Sequence, residues 1–234
     1  MELDKKNIVI LITGASKGIG HFLFNHFDEK KISVYGTYNS SIKAINPNKS
    51  YSKVDITNIS DVKNWVNNIK ISSKIILINC AGISYNSFFH KSDHIHWKKV
   101  VDVNLIGTYN VIRTIIPLMR ENNYGRIINF SSVTAIKPTP GISAYAASKS
   151  ALWGLAKSLS IENASRGITI NNINLGYSEL GMISQVPTNY MKIIKSQIPS
   201  GKLCEKKDIL NCIYFLINNK YLNGSSVDLN GGLV

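Results

Sequence analysis

The most constraining feature of the chain is a break in hydrophobicity near its start. An apolar run, Ile8–Ile12, ends in Thr13-Gly14-Ala15-Ser16-Lys17-Gly18-Ile19-Gly20 and opens into a segment of helical length, Gly18–Lys30. A buried strand that stops in a glycine-rich turn and starts a helix presents free backbone N–H groups and the positive end of a helix dipole at one point. That arrangement suits the pyrophosphate of a dinucleotide. Gly14 allows the tight turn, and bare backbone at Gly18 and Gly20 is expected to let the phosphates approach and the helix pack on its strand. The spacing is GxxxGxG rather than the commoner GxGxxG, so the turn needs support from the rest of the chain.

That support comes from an alternating pattern. Strands are expected at Ile8–Ile12, Ser33–Thr37, Tyr51–Val54, Ile75–Asn79, Arg126–Phe130, Ile168–Ile173 and Val227–Leu229. Helices are expected near Gly18–Lys30, Ser60–Ile69, Leu105–Glu121, Ala144–Asn163 and Lys206–Asn218. Such alternation predicts an α/β fold: a doubly wound parallel sheet, Rossmann-like, with helices on both faces. Its ligands bind at the carboxyl ends of the strands. The length of 234 residues is read as one domain, 1–234, with no internal repeat. Residues 176–201, which hold Pro187 and Pro199, read as an irregular segment placed to serve as a lid.

Bulk properties narrow the class. The chain has 44% apolar and 18% charged residues, as a soluble globular protein does. No run is long enough to span a bilayer and no leader is legible. Cys80, Cys204 and Cys212 are scattered without a CxxC pair, which suggests a reducing, cytoplasmic setting and neither a disulfide framework nor a metal centre. His90, His94 and His96 flank Asp93, but residues two apart do not share a helix face, so they read as surface loop. The net charge of +13 comes without a dense basic block or interleaved aromatics. It argues against nucleic acid and is compatible with an acidic protein partner or a phosphate-bearing substrate.

A second motif carries chemistry. Tyr145-Ala146-Ala147-Ser148-Lys149 puts a tyrosine and a lysine four apart, on one face of a helix. A tyrosine at its ordinary pKa of about 10 is a slow proton donor and acceptor near neutrality, and a neighbouring ammonium favours its phenolate. Ser132 lies thirteen residues earlier, and Asn104 stands just before the helix expected near Leu105–Glu121.

Together these motifs resemble the classical short-chain dehydrogenase/reductase family over essentially the whole chain. Thr13–Gly20 resembles its TGxxxGIG turn, Asn79-Cys80-Ala81-Gly82 its NNAG segment with Cys80 in place of an asparagine, and Tyr145–Lys149 its YxxxK motif, with Ser132 in register. The resemblance implies a catalytic set of Ser132, Tyr145, Lys149 and Asn104. Tyr145 would move the proton, Lys149 would hold the nicotinamide ribose and tune Tyr145, Ser132 would bind the substrate oxygen, and Asn104 would hold a water for proton resupply. It implies a cofactor site from Gly14, Ser16, Lys17, Gly18, Ile19 and Gly20, with Asn39, Asp55 and Ile56. Asn79, Ala81, Gly82, Tyr145, Lys149, Gly176 and Ser178 complete it. Asp55 stands where the family contacts adenine.

The cofactor is read as NADP(H). No acid stands at the end of the second strand, Val34–Ser40, where one would bind the ribose 2′-hydroxyl of NAD, and Lys17 adds positive charge. The family's NADP-preferring members carry a basic residue at the Lys17 position. Two departures bear on the cofactor: Leu175-Gly176 replaces a proline-glycine pair, and Leu180 stands where a threonine is usual.

Gly125–Ile128, Ala164–Thr169, Ile198-Pro199 and Asn230–Gly232 resemble the 3-oxoacyl-[acyl-carrier-protein] reductase group most closely. This implies reduction of a 3-oxoacyl thioester on an acidic carrier protein, with Arg126 and Arg166 as docking residues at the mouth of the site. It also implies a homotetramer or homodimer, with Leu152 and Trp153 as anchors. A sugar or small-ketone reductase, and a non-catalytic NADP-binding sensor or scaffold, are the other readings.

Overall fold

The computed structural model describes residues 7–40, 46, 48–70, 74–181 and 188–234. Its strands are β1 (Ile8–Thr13), β2 (Ser33–Tyr38), β3 (Tyr51–Lys53), β4 (Lys74–Asn79), β5 (Gly125–Ser132), β6 (Ile168–Leu175) and β7 (Ser226–Leu229). They form one parallel sheet in the order β3-β2-β1-β4-β5-β6-β7. The direction of winding reverses between β1 and β4, which is where such sheets open a ligand crevice.

The helices are α1 (Gly18–Glu29), α2 (Ile59–Asn67), α3 (His94–Val101), α4 (Thr108–Glu121), α5 (Ser143–Asn163), α6 (Thr188–Gln197) and α7 (Lys206–Asn218). The period of two along each strand sorts their packing. Ile10, Ile12, Ile76 and Ile78 point to a layer with Leu23, Phe24 and Phe27 of α1 and Ile209, Ile213 and Leu216 of α7. Val9, Leu11, Ile75 and Leu77 point the other way, to Val62 and Trp65 of α2 and Val111, Ile112 and Ile115 of α4. Both faces are buried, as the near-continuous isoleucine runs require.

Two expectations need correction. The His90–His96 stretch is largely ordered: Phe89–Lys91 forms a 3-10 turn, and α3 starts at His94 with Asp93 as its cap, accepting from the His96 backbone N–H at 2.9 Å. α3 then runs into a π turn, Asp102–Gly107, before α4, so the helical segment begins about three turns before Leu105. Within 176–201, α6 occupies Thr188–Gln197, so the segment is not wholly irregular. Residues 182–187, including Pro187, and most of the polar stretch from Asn39 to Lys49 lie outside the described residues.

One polar row crosses the sheet. Thr13, Asn79, Asn129, Asn172 and Ser226 occupy the same register on β1, β4, β5, β6 and β7. Their side chains bond in sequence: Thr13 to Asn79 at 3.4 Å, Asn79 to Asn129 at 2.9 Å, Asn129 to Asn172 at 3.1 Å and Asn172 to Ser226 at 3.0 Å. The three asparagines are buried, so each amide needs these partners.

Candidate active site

The carboxyl ends of β1, β4, β5 and β6 carry most of the expected residues to one end of the sheet. The glycine turn follows β1. Gly14 adopts a φ of +66°, and a Cβ there would lie 2.7 Å from the Ala81 Cα. A Cβ on Gly20 would lie 2.4 Å from the Gly14 carbonyl oxygen. The turn therefore needs these glycines for its own closure and for its seat on the β4 loop. Gly18 approaches Gly181, so the loop after β6 closes over the turn. Ser16 is buried and Lys17 exposed at the start of α1, which has no capping side chain and no acid in its first turn. Its N–H groups and dipole remain available to an anion.

The β4 loop is held from two sides. The Thr13 hydroxyl accepts from the Ala81 N–H at 3.2 Å. Asn104, in the π turn, accepts from the Ile83 N–H at 2.9 Å and donates to the Ile83 carbonyl at 2.9 Å and the Ser148 hydroxyl at 3.0 Å. Gly82 lies against Asn104 and Lys149. Asn104 thus reaches the site, but its amide is committed to placing the loop. The Asn79 amide is also held by the polar row, accepting from Thr13 and donating to Asn129.

α5 brings in Tyr145 and Lys149. Lys149 is only 6% exposed and donates to the Phe130 carbonyl at 2.7 Å. That is one acceptor for three N–H donors. Its Nζ lies 5.7 Å from the Tyr145 ring centre. Burial lowers the Lys149 pKa to about 8, with a partial opposing effect of Cys80. Burial also pushes up the Cys80 thiol. Ser132, at the end of β5, receives two hydrogen bonds from Thr134, from its N–H at 3.2 Å and its hydroxyl at 2.9 Å. The Ser132 hydrogen is left to Tyr145, with which Ser132 bonds, or to a ligand oxygen.

The Tyr145 pKa is raised by burial, only partly offset by Ser132. Lys149 is not among the causes of that shift. The ammonium is turned toward the Phe130 carbonyl.

Other members fall at the margins. Asn39 is exposed after β2. Asp55 follows β3, with one carboxylate oxygen engaged by the N–H and hydroxyl of Thr57 at 2.9 and 2.7 Å. Ile56 is buried against Gly107. Gly176 bonds the Leu229 carbonyl and packs on Asn230. Ser178 is buried, and its hydroxyl donates to the Leu180 carbonyl at 2.8 Å.

Sequence reasoning missed Thr13, Asn129, Asn172, Ser131 and Ser148 as supports. Ser131 donates to the Lys149 carbonyl at 3.0 Å, and Ser148 to the Tyr145 carbonyl at 2.8 Å. The available signal was a set of asparagines and serines inside otherwise apolar strands, where polar groups need partners. Among the described residues no cluster suits a metal ion.

The residues present fit a nicotinamide dinucleotide. An uncapped helix start faces the glycine turn, and a buried ammonium has donors to spare beside a tyrosine and a serine.

Comparison with known proteins agrees. The family model for short chain dehydrogenase matches residues 8–190. The 3-oxoacyl-[acyl-carrier-protein] reductase FabG of Rickettsia felis is 33% identical, with 99% of each chain covered. FabG of Staphylococcus aureus is 31% identical, with 95% of this chain and 96% of the relative covered. The acetoacetyl-CoA reductase of Shinella zoogloeoides is 31% identical, with 96% of this chain and 97% of the relative covered. With its turn, its parallel sheet and its Ser132, Tyr145 and Lys149 in agreement with that match, the chain belongs to the short-chain dehydrogenase family.

Proposed function

We propose that the protein reduces the 3-oxo group of an acyl thioester to a secondary alcohol with NADPH. The observation that carries this reading is the convergence of Ser132, Tyr145 and Lys149 beside the uncapped start of α1. The names of the similar FabG and acetoacetyl-CoA reductases support a thioester ketone as substrate class.

NADPH, when bound, supplies the hydride to the carbonyl carbon. Tyr145 gives its phenolic proton to the carbonyl oxygen, and its raised pKa keeps that proton in place at neutral pH. Ser132, its oxygen already engaged by Thr134, donates its hydrogen to the same carbonyl oxygen and stabilises the developing charge. Lys149 uses its remaining N–H donors on the ribose, and its charge stabilises the tyrosinate left after transfer. The Asn104 amide holds the Ala81–Ile83 segment against the cofactor, and the Lys17 ammonium favours a 2′-phosphate. Asp55 keeps one carboxylate oxygen for the adenine.

The carrier protein enters this reading with different docking residues. Arg126 is 3% exposed, with its guanidinium on backbone carbonyls, at the amino end of β5. Arg166 precedes β6 at that same end. Eight-residue strands put both about 20 Å from their own chain's Ser132. Lys91 and Lys137 are exposed on the segments after β4 and β5 and take over as carrier contacts. Self-association belongs to the same proposal with a changed surface. Leu152 is buried within the chain and Trp153 donates to Ser131 and Asn174, whereas Ile106, Tyr109 and Ile161 are exposed along the π turn, α4 and α5.

The test is a substrate panel of 3-oxoacyl thioesters, free and carrier-bound, with sugars and small ketones, run with NADPH and NADH in parallel. NADPH-dependent turnover led by the thioesters is expected. Turnover confined to sugars or small ketones, or no turnover at all, overturns the reading.

A further inference from the structure

Lys149 is gripped at both ends by neighbouring residues of β5. Its Nζ donates to the Phe130 carbonyl at 2.7 Å, and its own backbone carbonyl accepts from the Ser131 hydroxyl at 3.0 Å. Ser131 does not act alone. The Trp153 indole, one turn further along α5, shares its single N–H between the Ser131 oxygen at 3.2 Å and the Asn174 side-chain oxygen at 2.9 Å. The Asn174 amide in turn donates to the Asp228 carboxylate at 2.8 Å.

These groups form a second polar row. Ser131, Asn174 and Asp228 stand in register on β5, β6 and β7, two residues beyond Asn129, Asn172 and Ser226 of the first row. The period of two puts both rows on one face of the sheet, with the second nearer the carboxyl ends and the site. Only one sense of donation fits it. An indole donates and does not accept, so the Asn174 oxygen faces Trp153 and its NH2 group faces Asp228. The Ser131 oxygen is taken by the indole, which leaves its hydrogen for the Lys149 carbonyl. Ser131 and Asn174 are buried, so these partners are the ones that satisfy them. Apolar packing alone holds a helix against a sheet without direction. The bonds at Lys149 and Trp153 add the direction that fixes how far along the strand α5 sits.

We propose that Trp153, oriented by Asn174 and Asp228, is a positioning residue for Lys149: through Ser131 it fixes the register of α5 over β5, and so the point from which the ammonium and the Tyr145 hydroxyl address the crevice. The proposal rests on the reductase reading for the roles of those two groups. Tyr145 lies one turn before Lys149 on the same helix, so a slip of α5 moves both. They respond differently. The lysine stem is flexible and re-extends to a ribose, whereas the tyrosine ring is stiff and carries the whole displacement. A misplacement of about 1 Å costs on the order of 10²-fold in rate. The loss therefore falls on kcat more than on binding.

The experiment follows the Lys149 side-chain 13C NMR signal of the full-length protein through a pH titration, with the signal assigned by its loss in Lys149→Met. Steady-state kinetics on a 3-oxoacyl thioester with NADPH run beside it. Cys80 and Tyr145, the titratable side chains beside Lys149, are kept in every variant. Trp153→Phe keeps an apolar ring and removes the donor. Asp228→Leu removes the acceptor at the exposed end of the row, so it reports even where Trp153→Phe fails to fold. In both, a loosened Lys149 gains water, and its midpoint should rise from about 8 by about one unit toward the ordinary lysine value. In both, kcat should fall about tenfold with KM changed less than about threefold. Asp228→Asn keeps an acceptor oxygen and should restore the parent midpoint and kcat. Asn171→Ala removes a buried amide that bonds Leu222 and Ser225 instead, and should cost stability while leaving the midpoint and kcat in place. An unmoved Lys149 midpoint in Trp153→Phe and Asp228→Leu, an equal rise in Asn171→Ala, or a kcat equal to that of an active parent overturns the proposal. A parent without turnover sinks the reductase reading alone, because the titration decides the placement of Lys149 without it.

Discussion

Lys149 reaches back from α5 to the Phe130 carbonyl at 2.7 Å while its Nζ stays 5.7 Å from the Tyr145 ring centre. The lysine is buried with its pKa lowered to about 8, and the tyrosine is held above its ordinary value. The folded protein therefore holds Lys149 less tightly protonated than the unfolded chain does, whose value is near 10.5. Between about 8 and 10.5 the unfolded chain binds more protons, so Lys149 makes stability rise with pH in that window. Chemical denaturation across this range should show the rise in the parent and not in Lys149→Met. Equal slopes in both would refute it. NADPH affinity should fall above pH 8 as the ammonium is lost.

Tyr145→Phe removes the proton donor and leaves the ring in place. Turnover should drop by about 10²- to 10⁴-fold, the ordinary worth of a positioned acid, with NADPH binding largely kept. Single-turnover kinetics and cofactor titration check both halves. Turnover within tenfold of the parent removes Tyr145 from this role.

NADPH should bind more tightly than NADH, and Lys17→Ala should narrow the difference. Lys17 is exposed, so added salt should narrow it as well. Fluorescence titration of both cofactors decides the matter, and equal affinities in the parent would contradict it.

Asn172→Ala breaks the polar row between β5 and β6. The buried Asn129 amide loses its acceptor, which costs about 1–3 kcal/mol for an unsatisfied group. For a chain of this size each kcal/mol lowers Tm by roughly 2–4 °C. Thermal unfolding measures it. A midpoint within about 1 °C of the parent would mean that water or a neighbour satisfies Asn129 at little cost.

Carrier docking separates two kinetic constants. Lys91→Glu with Lys137→Glu should raise KM for a carrier-bound thioester and leave a small soluble thioester unaffected, because rim charges mainly govern encounter. Equal loss on both substrates would make these lysines structural.

The sheet and the glycine turn were legible in the sequence because strand burial and turn chemistry are local: apolar runs at Ile8–Ile12 and Ile75–Asn79 read the same in any context. Ser132, Tyr145 and Lys149 were legible for a related reason, since helix spacing puts the last two on one face. The start of α3 was not, because His94-Ile95-His96 is short and polar, and its helix is set by the Asp93 cap and continuity with the π turn. Partners were decided only by tertiary structure. The family resemblance offers Arg126 as a docking residue at the mouth of the site, yet it starts β5 at the opposite end of the sheet, where the carbonyls of Gly167 and Ile217, fifty residues apart in the chain, enclose it. Strand register, which no local pattern states, aligns Asn79 with Thr13 and Asn129. A residue's type and spacing state what it can bond, but which donors meet which acceptors, and which charges lose their water, follow from packing between segments far apart in the chain.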